Sequence, residues 1–85
     1  LLREQHRFPG PYVFRIVVRP SAVGPVVSAV GAALGEGSGV ARVEERQSRT
    51  GRYTALHLHT HLVSAEAVLD VYEVVSHLDG VVMSL

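Results

Sequence analysis

The chain lacks cysteine, tryptophan and lysine altogether. Without cysteine it can form neither disulfides nor thiolate metal sites. No apolar run approaches the roughly 20 residues that a membrane helix requires. Eight arginines are balanced by eight acidic residues, so the formal net charge is zero, and the chain lacks the basic footprint that binds nucleic acid. These absences predict a cytoplasmic protein with neither a membrane nor a nucleic-acid partner.

Size and composition are those of one small folded domain. The chain has 85 residues, of which 47% are hydrophobic, and this is too apolar for a disordered segment. A domain of this size buries only about 60–65% of the surface that its unfolded chain exposes, so its stability margin is narrow. Burial between subunits is a common remedy, and we therefore expect a homo-oligomer.

The spacing of apolar residues alternates between the periods of strands and of helices. Residues 1–11 are predicted to be an N-terminal segment outside the sheet, with Phe8 as its anchor in the core. Two prolines around Gly10 disfavour both a helix and a central strand there. The segments that follow are predicted as strand 12–18, helix 22–34, edge strand 40–47, hairpin loop 48–52, strand 53–62, helix 65–78 and strand 81–85.

Both predicted helices show an apolar stripe and a candidate cap. The first helix is capped either by Ser21 or by Gly24, and in the second case Pro25 is its first residue. The second helix begins after Ser64. Its apolar stripe is predicted to contain Val68, Leu69, Tyr72, Val75 and Leu78.

The order of elements, βαββαβ, predicts the fold. Four strands and two crossover helices are typical of an α+β, ferredoxin-like sandwich with one four-stranded antiparallel sheet. Right-handed crossovers place both helices on one face of this sheet, so the other face is left open. We expect residues 12–85 to form this single domain.

Three histidines alternate with leucine and threonine in the stretch 56-LHLHTHL-62. Alternation places them on one face of a strand, away from the core. We interpret that face as a docking surface for a second copy or for a partner protein. Its predicted interface residues are Tyr53, Ala55, His57, His59 and His61.

A metal site on these histidines is the alternative. Neighbouring histidines on one strand face lie about 6.6–7 Å apart, so two can share a zinc ion, but the outer two are about 13–14 Å apart. A further ligand would have to come from another strand, and Glu44 and Glu45 are the candidates. Because spacing alone is weak evidence for a ligand set, we predict no metal site and no cofactor.

No residue pattern points to catalysis. Ser48 has neither an acidic orienter at a recognisable spacing nor a strained nucleophile turn, and serine is common in turns. The glycines of 35-GEGSG-39 follow a helix and lack the lysine of a phosphate-binding loop. Arg46, Arg49 and Arg52 flank the hairpin and could hold an anion, although nearby glutamates offset their charge. We predict that the chain is not an enzyme.

Several short motifs follow one another along the chain in a characteristic order. They are Phe8-Pro9, Tyr12 to Val17 with Arg15 at a position usually held by lysine, Ser48, Gly51-x-Tyr53, Val71-Tyr72 and Val82-Met83-Ser84-Leu85. In order and spacing these motifs resemble the DUF493, or YbeD-like, family of small uncharacterised bacterial proteins, from Phe8 onward. Two features depart from the family pattern. Val17-Val18-Arg19-Pro20 stands where a Met-Gly-type turn is expected, and the histidines replace small polar residues.

The resemblance implies a ferredoxin-like fold similar to the ACT domains that regulate metabolic enzymes, and it implies no known catalysis. In ACT-like domains a ligand typically sits where loops or helices meet at a subunit interface. The corresponding places here are the segment from Phe8 to Pro11 and the hairpin, whose predicted ligand-binding residues are Ser48, Arg49, Gly51, Arg52 and Tyr53. A connection with lipoate metabolism, as suggested for similar proteins, is a further alternative. We therefore expect a non-catalytic regulatory or adaptor module that binds a metabolite or a partner protein.

Overall fold

The computed structural model describes residues 7–84. Its strands are β1 (Gly10–Val18), β2 (Gly39–Gln47), β3 (Thr54–Leu62) and β4 (Val81–Ser84), and its helices are α1 (Val23–Ala33) and α2 (Ala65–Ser76). A short 3-10 turn, Pro20–Ala22, precedes α1. Residues 1–6 of the predicted N-terminal segment and Leu85 of the predicted last strand lie outside the described residues. Neither helix within residues 7–84 is long and apolar enough to cross a membrane.

The strands form one antiparallel sheet in the order β2-β3-β1-β4. The two central strands, β1 and β3, pair along their whole length, from Gly10 opposite Leu62 to Val18 opposite Thr54. β2 lies at one edge of the sheet, as predicted, and the short β4 lies at the other. The α+β class, the four-stranded antiparallel sheet and the two helices are thus confirmed.

The helices cover one face of the sheet, and alternation along the strands decides which side chains they bury. Every second residue of β3 from Thr54 to Leu62 is buried, and the residues between them are exposed or half-buried. Phe8 packs against the core as the predicted anchor. The core itself consists of Phe14, Ile16, Val18, Ala22, Val26, Val30, Leu34, Leu56, Leu58, Leu62, Ala67, Val68, Val71 and Val75.

The helix layer ends above β3. Leu56 and Leu58 of β3 are 0% exposed, whereas their cross-strand neighbours on the same face, Glu45 and Val43 of β2, are exposed. None of the nine residues of β2 is buried. β2 is therefore attached to the domain mainly through its backbone ladder with β3.

Strand β1 begins earlier than predicted. Gly10 and Pro11 belong to it and pair with Leu62 and His61, so the prediction of an N-terminal segment that continues as a loop to Pro11 is wrong. The proline fits because β4 pairs only with residues 16–18 of β1. At Pro11 the other side of β1 therefore has no partner among the described strands, and a strand edge tolerates the missing N–H.

Neither predicted cap begins the first helix. The 3-10 turn begins at Pro20, shortly after β1 ends. Arg19 is the N-cap residue of this turn and Ala22 is the N-cap residue of α1, and neither side chain makes a capping hydrogen bond. Proline is pre-set for the first turn of a helix, so the helical path has already begun at Ser21. The Arg19 N–H fixes this corner by donating to the Gly80 carbonyl oxygen at 2.8 Å.

The apolar stripe of α2 differs from the prediction at one position. Val68 and Val75 are buried as predicted, but Leu69 is 59% exposed and Val71 is buried instead. Successive helical residues are rotated by about 100°, so Val71 lies on the same side of the helix as Val68 and Val75, while Leu69 is turned away from them. The helix also ends at Ser76, before the predicted boundary.

Because the helices cover β3 and not β2, truncation should affect the two members of one cross-strand pair unequally. We expect Leu58→Ala to lower the free energy of unfolding by about 2–5 kcal/mol, since it leaves a cavity under the helices. Val43→Ala, directly opposite on β2, should lower it by about 1 kcal/mol at most, since that side chain already meets water. Urea titrations of dilute protein, followed by circular dichroism, measure both. Equal losses would contradict a helix layer that ends above β3.

Candidate functional site

The face of the sheet opposite the helices is uncovered in the described part of the chain, and we call it the open face. Each strand contributes alternate residues to it. They are Arg42, Glu44 and Arg46 on β2, Ala55, His57, His59 and His61 on β3, Pro11, Val13, Arg15 and Val17 on β1, and Met83 on β4. The predicted stripe from Ala55 to His61 lies on this face, and Tyr53, just before β3, is 42% exposed.

Cross-strand pairing sets the residues of the open face in rows. Glu44 lies opposite His57, which lies opposite Arg15 on its other side. In the next row Arg42 lies opposite His59. Directly opposed side chains start about 4.5–5.5 Å apart, so the charged groups of β2 lie within reach of the histidines of β3.

Glu44, His59 and Arg42 form a contact cluster on the open face. The ring N–H at His59 Nε2 donates a hydrogen bond to Glu44 Oε1, diagonally across the two strands. Arg42 donates from Nη2 to the same carboxylate oxygen at 3.4 Å, and its Nη2 lies 3.3 Å from His59 Nε2. The carboxylate of Glu44 thus contacts both the His59 ring and the Arg42 guanidinium.

The cluster keeps Glu44 ionised. The hydrogen bond from His59 lowers the pKa of the Glu44 carboxyl from its ordinary value, and the positive charge of Arg42 lowers it further. The Glu44 side chain is half exposed, with 51% of its surface accessible. Water therefore screens these contacts, and they orient the surface more than they stabilise the fold.

The register separates the two carboxylates that were candidates for a metal ligand. Glu44 faces the histidines, but Glu45 points to the helix side, opposite Leu56. The guanidinium of Arg42 lies beside the remaining carboxylate, where a metal cation would be repelled. Among residues 7–84 no group of three or more histidine, aspartate or glutamate side chains is arranged to hold a metal ion.

The predicted ligand-binding residues lie in the β2–β3 hairpin. The backbone N–H of Ser48 donates to the Tyr53 carbonyl oxygen at 2.9 Å, and its hydroxyl oxygen accepts from the Tyr53 N–H at 3.2 Å. Gly51 has a positive φ of 74°, and Arg49 and Arg52 are exposed beside it. Ser48 and Gly51 thus shape the turn, and binding of a ligand at the hairpin stays a prediction.

The other predicted ligand loop lies at the far end of the sheet. The hairpin adjoins the end of β3 where Thr54 pairs with Val18, whereas residues 8–11 adjoin the end where Leu62 pairs with Gly10. The eight steps along β3 between these ends span about 27 Å. One small ligand therefore cannot contact both loops of the same subunit.

The net charge of zero conceals an uneven distribution of charge. Among residues 7–84 the open face carries a single carboxylate, Glu44, against three arginines, namely Arg15, Arg42 and Arg46. The exposed side of α2 is acidic at Glu66, Asp70 and Glu73. One side of the domain is thus basic and the opposite side is acidic.

The sequence interpretation missed the arginines of the open face as part of the site. It did not include Arg15 among the interface residues, and it assigned Arg46 to the flank of the hairpin. Counting back along β2 from the hairpin would have identified them. Every second residue from Arg46 faces the same side of the sheet as the histidines, and these residues are Arg46, Glu44 and Arg42. The strand positions do not reveal the bulge between Val40 and Arg42, where this alternation is interrupted.

The described surface has depressions on both the sheet and the helix side. One, of about 310 Å³, lies along β2 and β3 and is lined by Glu44, Glu45, Arg46, Ala55 and His57. The other, of about 470 Å³, lies where β1 leads into α1 and α2 leads into β4. It is lined by Arg19, Ser21, Ala22, Pro25, Leu78, Asp79 and Gly80. Neither includes the predicted hairpin residues.

The cluster makes the titration of Glu44 depend on one particular histidine. We expect His59→Ala to raise the pKa of Glu44 toward its ordinary value, since it removes the largest cause of the lowering. His61→Ala, on the same strand face, is the control and should leave it unchanged. NMR titration of the carboxyl carbon measures both, and equal pKa values in the two variants would contradict the cluster.

The same contact fixes the direction of the pH effect on stability. A carboxyl whose pKa is lower in the folded state adds stability at pH values above its unfolded pKa, and this is lost as the pH falls through the folded pKa. The loss on acidification should therefore be smaller in His59→Ala than in His61→Ala. Urea titrations at a series of acidic pH values measure it.

Comparison of the sequence with protein-family models assigns nearly the whole chain to one family. A family model described as "Protein of unknown function (DUF493)" matches residues 3–85. A search among curated proteins found no match. The family match includes every strand and helix described above. The chain therefore belongs to the DUF493 family, whose function is unknown.

Proposed function

We propose that the chain is a non-catalytic regulatory or adaptor module of the cytoplasm that docks an acidic segment of a partner protein on its open face. One observation carries this proposal: three arginines and three histidines share an uncovered sheet face with a single carboxylate. Complementary charge steers association and excludes wrong partners. A face of this kind therefore favours a partner rich in aspartate and glutamate.

A second copy is a poor occupant of the open face. Contact between two open faces would bring Arg15, Arg42 and Arg46 of one subunit toward the same residues of the other, and close like charges oppose association. Single-stranded nucleic acid favours large aromatic platforms for stacking, and the described strand positions of the open face hold no phenylalanine, tyrosine or tryptophan. A partner protein fits the chemistry of this surface better than either.

The arrangement of the elements supports a ferredoxin-like assignment. Two right-handed βαβ units that interlock give one antiparallel sheet with both helices on the same face, and the order β2-β3-β1-β4 fits this. We infer a relation to ACT domains at the level of fold. The engagement of the Ser48 hydroxyl in closing the hairpin supports a turn function for this serine and so a module without catalysis.

An oligo-glutamate peptide is a direct probe of the open face. We expect it to shift amide NMR signals of residues on the open face, and its affinity to fall with added salt. The reason is that the Debye length shortens from about 10 Å at 0.1 M to about 3 Å at 1 M salt. The double variant Arg15→Glu/Arg46→Glu should abolish binding, and replacement of the three histidines by serine should weaken it.

A matched control uses the hairpin. Arg49→Glu/Arg52→Glu changes the net charge by the same amount at exposed positions outside the open face and should leave peptide binding intact. Equal loss of binding in the two double variants would mean that the peptide senses net charge alone. That result would contradict the proposed surface.

Metabolite binding is the second candidate, and the depression of about 470 Å³ favours it. Its lining offers a cationic group at Arg19, an anionic group at Asp79 and apolar surface at Pro25 and Leu78. These groups suit a small molecule that carries both charges. The site predicted from the resemblance, at the hairpin, has no such depression among those described.

A ligand in the depression and a ligand at the hairpin should be lost in different variants. In a thermal-shift screen of amino acids and small organic acids, a ligand of the depression should raise the melting temperature of the unmodified chain but not of Arg19→Ser. The rise should persist in Arg52→Ser. The opposite pattern would assign the ligand to the hairpin and contradict the depression.

A further inference from the structure

The outer edge of β2 is long and accessible. β2 lies at the end of the sheet, and within residues 7–84 no strand pairs with its outer side. Its nine residues are exposed except Val40, which is half-buried. An unpaired strand edge of this length is a template for pairing with another strand.

The hairpin determines which backbone groups point outward. The Ser48 N–H bonds to the Tyr53 carbonyl, which makes these two residues a hydrogen-bonded pair. Such pairs alternate along an antiparallel ladder, so every second residue back along β2 is bonded to β3. The residues between them, Val43, Glu45 and Gln47, direct their N–H and C=O groups to the open edge.

We propose that two copies of this chain pair through β2, antiparallel, with Val43 opposite Val43 of the second copy, so that the two sheets join into one. The two-fold axis then stands perpendicular to the sheet, and residues that face each other lie on the same face. This inference does not depend on the proposed function, because it requires no partner protein on the open face; it uses the edge of β2 together with Arg42 and Glu44, which also belong to that face.

Charge selects Val43 as the centre of the pairing. With Val43 at the centre, Arg42 lies opposite Glu44 of the second copy and Glu44 lies opposite Arg42. Opposite charges across a strand pair stabilise it by about 0.2–1 kcal/mol each, and like charges destabilise it. The sequence 42-RVE-44 is thus complementary to itself when its direction is reversed.

The neighbouring registers bring like charges together. A centre at Glu44 sets this carboxylate against its own copy and sets Arg42 against Arg46. A centre at Glu45 gives an attractive pair between Glu44 and Arg46, but it sets Glu45 against Glu45. Of the centres from Val43 to Glu45, only Val43 is free of a like-charge pair.

Val43 supplies the apolar contact. Its side chain is 37% exposed and points to the helix side of the sheet, where the helix layer has already ended. Pairing with a second copy brings the two valines together on that face and removes both from water. The bulge between Val40 and Arg42 confines the regular pairing to a short stretch around this centre.

Because the chain has no cysteine, a single introduced cysteine tests the register. Val43→Cys should form a disulfide-linked dimer in a glutathione redox buffer, since opposed strand residues lie within the Cα separation of about 4.4–6.8 Å that a disulfide spans. Glu45→Cys is the control. In the proposed register its two copies lie four residues apart, at about 13–14 Å, and should stay unlinked.

A charge exchange tests the same pairing without a covalent bond. Arg42→Glu and Glu44→Arg, each alone, should weaken the dimer by about tenfold, because each replaces attractive pairs with like charges. The combined variant Arg42→Glu/Glu44→Arg should restore it. Analytical ultracentrifugation over a range of concentrations measures a species of twice the 9.2 kDa chain mass, and circular dichroism checks that each variant is folded.

The outcomes are distinct. Linkage of Val43→Cys alone, with restored dimerisation in the combined variant, is the expected result. Linkage of Glu45→Cys alone, equal linkage of both cysteine variants or linkage of neither would overturn the proposal, as would a folded combined variant that stays monomeric. None of these results bears on peptide binding at Arg15 and Arg46, so the two proposals fail separately.

Discussion

A shift of β3 by one residue would expose Leu56, Leu58 and Leu62 to water and turn the three histidines into the core. Strand pairing on both sides of β3 prevents such a shift. Each buried leucine contributes about 1.5–3 kcal/mol, whereas an exposed charge pair such as Glu44 with Arg42 contributes about 1 kcal/mol at most. The leucines therefore decide the register, and the positions of the surface charges follow from it.

The register gives β2 two separate surfaces. Its side chains Arg42, Glu44 and Arg46 extend the open face beside the histidines, while its backbone borders the solvent. Natural sheets often protect such an edge with charged side chains. Here the charges also favour one partner, since Arg42 and Glu44 on either side of Val43 would lie opposite Glu44 and Arg42 of an antiparallel second copy. The same charged residues can therefore disfavour pairing with unrelated strands and favour pairing with an identical strand.

Much of the fold could be predicted from the sequence because each segment repeats one period. The alternation in residues 54–62 set the two faces of β3, and the glycine at position 51 set the turn. The errors came from tertiary context. Pro11 joins β1 at a position that the described part of β4 does not reach, and Leu69 is exposed because it is turned away from the buried side of α2.

The candidate site was less predictable than the fold. The histidines are consecutive on one strand and were recognised from their spacing alone. Their partner Glu44 lies 15 positions away from His59 in the chain, and its contact with His59 depends on the register between β2 and β3. Sequence periodicity describes one strand at a time. It could therefore predict neither the contacts between strands nor the separation of charge between opposite sides of the domain.

The end of the helix layer above β3 has a consequence for divergence among related proteins. Residues of β2 contribute little buried surface, so substitutions there change the chemistry of the surface at a small cost in folding free energy. Residues such as Leu58, under the helices, lack this freedom. A domain built in this way can acquire a new binding specificity by drift along one strand while its core stays the same.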